Sequence, residues 1–484
     1  MPELAFDSAT QLATKIRQRE ISARELLDLY LQRVDAINPE LNAIVVDARE
    51  TALQTAEAID AAIARGEDPG PLAGVPMTIK ESYNLAGTPT TFGNPEWRDN
   101  IAATDAEPVK KLRGVGVNVF GKTNVPLGLA DFQSYNAVYG TTNNPYDLQR
   151  VPGGSSGDSA AALAAGLTGL EIGSDIGGSI RNPAHFCGVF GHKPTFNLLW
   201  MQGHSPPGDV RAPGDISVIG PMARSATDLR IALQCLAGPD PIMQRGYRLD
   251  LPTWQDRSVA DLRVAVWCND PQAPVDRETE ARVEAVAAAL RTRGARTDLD
   301  ARPNFDAAAS HDTYQELLHA TMSARMPDGP YDSLRAYVET LDPADHSQKA
   351  KVMRAQVAQF KQWHAANEQR HQLRWQWHEF FEHYDILITP VMATAAFPHD
   401  QRKFSERTIT VDNDSRPYFE QVFWAGLTGV AYLPSTVIPT GLNDAGLPIG
   451  VQIVGREYDD LITIGVAEEL EAMGFAFTPP PRYS

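Results

Sequence analysis

Gly153-Gly154-Ser155-Ser156-Gly157 and Gly173-Ser174-Asp175-Ile176-Gly177-Gly178-Ser179 bracket the small-residue run Ser159 to Gly169. The run reads as a helix over Ser159–Leu170, because alanine and leucine are strong helix formers. Glycine lets backbone N–H groups converge where a side chain would block them. A serine closing such a loop can be a nucleophile with its own anion-binding cradle. Two serine turns around one packed helix indicate chemistry as well as architecture.

Outward from that helix, strands and helices take turns. Upstream, Asp7 or Ser8 caps a helix over about 9–19, and Ser22-Ala23-Arg24-Glu25 forms a capping box for a second. That second helix is expected to stop before Asn38-Pro39, since proline lacks the N–H a helix needs. Leu41 to Val46 reads as a strand and Glu50 to Arg65 as a helix. Gly74 to Lys80 and Val117 to Gly121 are short apolar runs on either side of a helix around Asp105–Arg113. Downstream, Ala226–Leu236 and Glu278–Arg293 read as helices, with Arg263–Trp267 as a strand. Asp385–Pro390, Leu433–Pro439 and Ile449–Val454 also have buried-strand character. Alternation of this kind predicts an α/β fold, a large mixed and mostly buried sheet with helices on both faces. We expect one domain over 1–484, with an N-terminal helical region at 1–66 and a catalytic core at 67–240. A helical excursion spans 305–384. Its polar, tryptophan-bearing part, Ser347 to Glu382, reads as a solvated structural helix or as a lid or dimer arm.

Bulk properties exclude several classes. The 484 residues carry a formal net charge of −18, with 43% hydrophobic and 21% charged residues. Nucleic acid and anionic membranes both need a basic face, so neither is an expected partner. The start Met1-Pro2-Glu3 has no basic, apolar leader, and no run suits a membrane span. Cys187, Cys235 and Cys268 are too few and too scattered for a disulfide framework, and a reducing cytoplasm is the expected setting. His364, His371 and His378 repeat every seven residues. At about 1.5 Å rise per residue they are too far apart to share an ion. No metal or cofactor is expected.

A serine hydroxyl needs a base. Histidine is a poor candidate, since only His185, His192 and His204 lie near the glycine turns in sequence. Gly153-Gly154-Ser155-Ser156-Gly157 fits the G-x-S-x-G elbow, but that elbow needs a strand before it and a histidine late in the chain. Pro152 precedes it, and the last histidine is His399. A carboxylate or a neutral lysine stays open as the base, and among the lysines Lys80, Lys122 and Lys193 compete for the role.

The ordered segments decide among them. Gly74-Val75-Pro76-Met77-Thr78-Ile79-Lys80, the two serine loops, Phe186-Cys187-Gly188, Lys193-Pro194-Thr195, Asp385 to Pro390 and Gly446 to Gln452 together resemble the amidase signature family of serine hydrolases. That resemblance implies Ser179 as the acyl-forming nucleophile, Ser155 as a proton-relaying serine in a cis peptide, and Lys80 as the base. It implies an oxyanion hole built from the N–H groups of Ile176, Gly177, Gly178 and Ser179. Lys80 must then be neutral, which asks burial to lower its pKa from about 10.4 toward 7–8, about 4 kcal/mol. Asp175 and Arg181 are expected to brace the nucleophile loop as a buried ion pair.

One position departs from the family pattern, which has glycine where this chain has Asp158. The acid either suits the first turn of the following helix, or lies near Lys80 or Ser155 and holds the lysine protonated. Substrate contacts are expected from Phe132, Gln133, Gly154 and Trp200, with Tyr135 and Met201 nearby. The implied function is hydrolysis of the C–N bond of a small, apolar carboxamide by a free-standing amidase, with aryl acylamide, carbamate and ester substrates open. The alternatives are the glutaminase subunit of a tRNA-dependent amidotransferase, and an amidase-like binding protein weakened by Asp158. A homodimer is one expected assembly.

Overall fold

Short apolar runs bounded by Gly or Pro form the strands, and the longer alanine-rich stretches between them form the helices. The computed structural model describes residues 3–484, so the reading of the Met1-Pro2 start lies outside it. The chain opens with α1 (Ala9–Arg17) and α2 (Ala23–Leu41), each with a serine capping box, at Ser8 and Ser22. β1 (Ile44–Asp47), α3 (Arg49–Ala64), β2 (Pro76–Lys80), α4 (Glu107–Gly114) and β3 (Asn118–Thr123) follow. A two-rung ladder, β4 (Tyr135–Asn136) with β5 (Gly140–Thr141), leads to α5 (Gly157–Ala164), β6 (Glu171–Asp175) and α6 (Arg181–Cys187). Next come β7 (Phe190–Lys193), β8 (Val218–Ala223), α7 (Ala226–Leu236), β9 (Arg263–Val266), α8 (Arg277–Thr292) and β10 (Arg296–Asp298). The helical excursion is α9 (Ala307–Ser323), α10 (Asp328–Glu339), α11 (Gln348–Gln356) and α12 (Phe360–His383). The chain ends with β11 (Ile386–Pro390), the hairpin β12 (Thr408–Val411) and β13 (Asp414–Pro417), α13 (Val422–Gly429), β14 (Ser435–Leu442), β15 (Pro448–Val454) and α14 (Asp460–Ala472).

The mixed α/β architecture expected from the alternation is present, with helices packed on both faces of a large sheet. Eight strands run in the order β10-β9-β11-β15-β14-β7-β8-β6, and a separate three-stranded sheet runs β1-β3-β2. β9 lies parallel to β10 and β11, whereas the rest of the large sheet is antiparallel. β2 is parallel to β3 and forms the edge of the small sheet, as β6 forms an edge of the large one. A single parallel bridge, Met77 to Leu170, joins those two edges. The seam is stitched further by Gly169 N–H to Pro76 O (2.8 Å) and Thr78 N–H to Thr168 Oγ1 (2.9 Å). One apolar cluster runs through both sheets, from Ala9 to Tyr483.

Two boundaries differ from expectation. α2 continues through Pro39 to Leu41, because Asn38 rebuilds the last turn. Its Oδ1 accepts the N–H groups of Ala43 and Ile44, its Nδ2 donates to Ile44 O, and its carbonyl accepts Asn42 N–H. α5 stops at Ala164 instead of Leu170. Gly166 adopts φ 66°, its N–H returns to Leu163 O and that of Leu167 to Ala162 O, a Schellman stop. The polar stretch from Ser347 resolves into two helices, and α12 buries Arg370, Leu373, Trp377, Phe380 and Phe381 along one face.

Candidate active site

Lys80 ends β2, whose five residues are all buried. Its Nζ lies 2.7 Å from Ser155 Oγ, 2.9 Å from Ser156 Oγ and 3.0 Å from Ser174 Oγ. Three hydroxyls around an amine in a dry interior can exchange hydrogen-bond roles with it, because each can donate or accept. Burial pushes the Lys80 pKa down to about 7, against the pull of Asp158, Asp175 and Glu171. The amine is therefore available in neutral form near neutral pH.

Ser155 enters this cluster from the loop before α5, across a cis Gly154–Ser155 peptide bond. Gly154 is required by close approach: a Cβ there would collide with Asp131 O and sit 2.8 Å from Gln133 O. Asn182, in the first turn of α6, ties the two serine loops together. Its Oδ1 accepts Gly154 N–H (3.0 Å), and its Nδ2 donates to Gly154 O and to Gly178 O (2.8 Å). Ser156 N–H donates to Ser179 O at 3.1 Å, a second tie between the loops. Ser179 is 7% exposed, against 0% for Lys80 and 1% for Ser155, so its loop is the outermost of the three.

The loop holding Ser179 is braced from below. Asp175 meets Arg181 at 2.9 Å with both side chains buried. Its carboxylate also accepts the N–H groups of Gly178 (2.9 Å) and Ile180 (3.1 Å). Although burial raises the Asp175 pKa, Arg181 brings it down to about 2, so the carboxylate stays charged. The expected oxyanion hole is corrected here: Gly178 N–H points at Asp175 and is not free. Among the described residues the N–H groups of Ile176, Gly177 and Ser179 have no acceptor, and they remain as candidate donors. From above, Tyr314 of α9 donates its hydroxyl to Ile176 O at 2.9 Å.

The competing lysines face elsewhere. Lys122 donates to Pro89 O and to Thr90 Oγ1 (3.0 Å), and Lys193 donates to Pro194 O (2.8 Å). His204 reaches Ser82 Oγ at 3.0 Å and tilts against Tyr83, whose hydroxyl donates to Gly173 O. Burial pushes the His204 pKa down to about 3. Among the described residues no group of three metal-ligating side chains converges.

Asp158 lies in the first turn of α5, as expected, and is wholly buried there. Neither carboxyl oxygen has a hydrogen-bond partner among the described residues. Ser134 and Thr142 flank it, but their hydroxyls donate elsewhere, to Gly153 O (3.0 Å) and Asn42 O (2.6 Å). Burial pushes the Asp158 pKa up to about 7, with Lys80 pulling the other way.

The amidase family model matches residues 25–463. The chain belongs to the amidase family. Curated relatives include glutamyl-tRNA(Gln) amidotransferase subunits from Bdellovibrio bacteriovorus and from Carboxydothermus hydrogenoformans. Each is 31% identical over 491 residues, covering 97% of both chains. Among solved structures, a bacterial aryl acylamidase of the amidase signature family superposes with a TM-score of 0.83 at 25% identity, covering 99% of each chain.

Aromatic side chains lie beside the serine loops of this amidase-family chain. Phe132 stacks on Phe419 (centroids 5.9 Å apart) and tilts against Tyr418 (5.6 Å). A Cβ on Gly177 would meet Tyr314 and Val422, and one on Gly178 would meet Ala425, so α9 and α13 cover the nucleophile loop. Gln133 is corrected as a substrate ligand. Its amide is tied to the Asp400 backbone, accepting N–H at 2.9 Å and donating to the carbonyl at 2.8 Å. Tyr135 likewise accepts from Arg407 (2.6 Å). Trp200 and Met201 are half-buried, and no hydrogen bond or ring contact among the described residues joins Trp200 to the serine cluster. Sequence reasoning missed Ser156, Ser174, Asn182, Tyr314 and Arg407. The first three lie inside or beside the motif loops; the last two meet them only through tertiary folding.

Proposed function

We propose that the protein hydrolyses the C–N bond of a small carboxamide, with Lys80 as base, Ser155 as relay and Ser179 as nucleophile. The observation that carries this is the 2.7 Å contact between Lys80 Nζ and Ser155 Oγ in a wholly buried setting. Neutral Lys80 takes a proton from Ser155, which takes one from Ser179, and Ser179 Oγ attacks the carbonyl carbon. The N–H groups of Ile176, Gly177 and Ser179 hold the oxyanion, each worth about 3 kcal/mol in the transition state. The proton returns through Ser155 to the leaving nitrogen, the C–N bond breaks and an acyl-enzyme remains. Water, deprotonated by the same pair, then releases the acid and regenerates Ser179.

The aromatic wall of Phe132, Tyr418 and Phe419 supports an apolar acyl group, and the overlay with an aryl acylamidase agrees with it. The curated relatives favour a second reading, the glutaminase subunit of a tRNA-dependent amidotransferase. Product release from a panel of anilides, aliphatic amides, carbamates and esters tests the first. Ammonia release from glutamine confined to a complex with partner subunits would establish the second in its place. The free thiols of Cys187, Cys235 and Cys268 suit a reducing compartment, and we extend the proposal to a cytoplasmic setting.

A further inference from the structure

Asp158 sits between two residues that address the lysine strand. Two positions earlier, Ser156 Oγ accepts from Lys80 Nζ at 2.9 Å. One position later, Ser159 Oγ lies 2.9 Å from Thr123 Oγ1, and Thr123 is the register partner of Lys80 in the β2–β3 pair. The carboxyl between them is sealed from water and has two oxygens without partners among the described residues. Its flanking hydroxyls, Ser134 and Thr142, are placed to donate to Gly153 O and Asn42 O, which competes with any bond they give the carboxyl. A carboxyl sealed from water, whose neighbouring hydroxyls have other acceptors, favours the protonated acid over the carboxylate.

We propose that Asp158 is a proton-holding positioning residue for Lys80: protonated, it leaves the amine free to act as base, and ionised, it fixes a proton on the lysine. The inference rests on the amide-hydrolysis reading above. The other carboxyl groups acting on Lys80 keep their charge state as pH falls from neutrality. Asp175, from β6, stays ionised and is matched by Arg181. Glu171, also on β6, accepts from Thr78 Oγ1, and burial pushes its pKa up to about 8, so it is already protonated there. His204 is held neutral, and burial pushes the Tyr83 hydroxyl and the Cys187 thiol of α6 well above their ordinary range. Burial lowers the pKa of Lys193 to about 7 and that of Lys122 to about 8, so both titrate in the same range, but Lys193 faces Arg181, Asp175, Asp460 and Glu457 and Lys122 faces Glu81, not the Asp158–Lys80 pair. Asp158 is therefore the neighbour whose charge is set together with that of Lys80, and two groups so coupled lose their protons in two macroscopic steps.

The test is the rate at which a fluorophosphonate probe labels Ser179 of the full chain between about pH 5 and 9.5, a range chosen around the two groups. Wild type, Asp158→Asn and Asp158→Gly are compared, each scaled to its alkaline plateau. The wild-type acid limb should be broad and two-stepped. Both variants should show one ionisation with a midpoint lower by up to about one pH unit: they should meet wild type at the acid foot, where Asp158 is protonated, and label faster by up to about tenfold in the middle of the limb, where it is ionised. Superimposable limbs in all three proteins would overturn the coupling while leaving the nucleophile reading intact. No labelling of wild-type Ser179 at any pH would overturn that reading, and this proposal with it.

Discussion

At the scale of single residues, the centre depends on an amine stripped of water. Lys80→Ala and Ser179→Ala should each lower turnover about a thousandfold or more while circular dichroism and melting remain those of a folded protein. An active Ser179→Ala enzyme would remove the nucleophile assignment. Because the base works only when neutral and its pKa is lowered to about 7, kcat/KM should fall as pH drops below that value. Stability carries the same signature. Between about 7 and 10.5 the unfolded chain holds a proton on this lysine that the folded chain does not, so stability rises with pH across the window. Urea unfolding of wild type and Lys80→Met should show wild type gaining about 2 kcal/mol on the variant between about pH 7 and pH 9. An unchanged difference would mean that Lys80 is not desolvated as described. The meeting of Lys80 with Ser155 was legible from Gly-Ser spacing joined to the family resemblance, because the motif fixes residue types locally. The burial of Asp158 was not, since its neighbours Ser134 and Thr142 arrive from a separate loop.

At the scale of elements, strands and helices were read well wherever periodicity and caps agreed, as in α7, whose bounds match the expected Ala226–Leu236. The misses came where a side chain overrode a breaker, as Asn38 does for Pro39, or where a glycine stop lay inside an alanine run, as Gly166 does. Contacts between remote elements were beyond any local pattern. Arg407 is buried among Tyr135, Phe404 and Tyr418, and pairs with Asp131 at 2.5 Å, whose backbone abuts Gly154. Removing one member of such a pair strands the other charge. Arg407→Ala should cost about 3 kcal/mol in chemical denaturation and raise KM, with kcat less affected. A denaturation curve coincident with wild type would show the pair to be without structural weight. Asn182→Ala should instead lower kcat by about tenfold or more, since it releases both serine loops from each other, and KM should change little.

At the scale of the whole molecule, the outstanding choice lies between a free enzyme and one component of a larger assembly. Sedimentation of the purified chain, with glutaminase assays alone and beside amidotransferase partners, separates them: full activity on anilides in isolation supports the free enzyme. Sequence could not make that choice, because both readings share the same three catalytic segments and differ in the walls around them. The join between the two sheets carries a further consequence. Lys80 is delivered by the small sheet, whereas Ser174 and Ser179 hang from the large one, and the two edges meet at the Met77–Leu170 bridge, its flanking hydrogen bonds and the apolar cluster that runs through both sheets. The catalytic centre thus behaves as a gauge of how well two bodies are docked. Mild denaturant that parts them should extinguish turnover while most of the helical signal survives, and tightening that border is a direct route to a hardier catalyst.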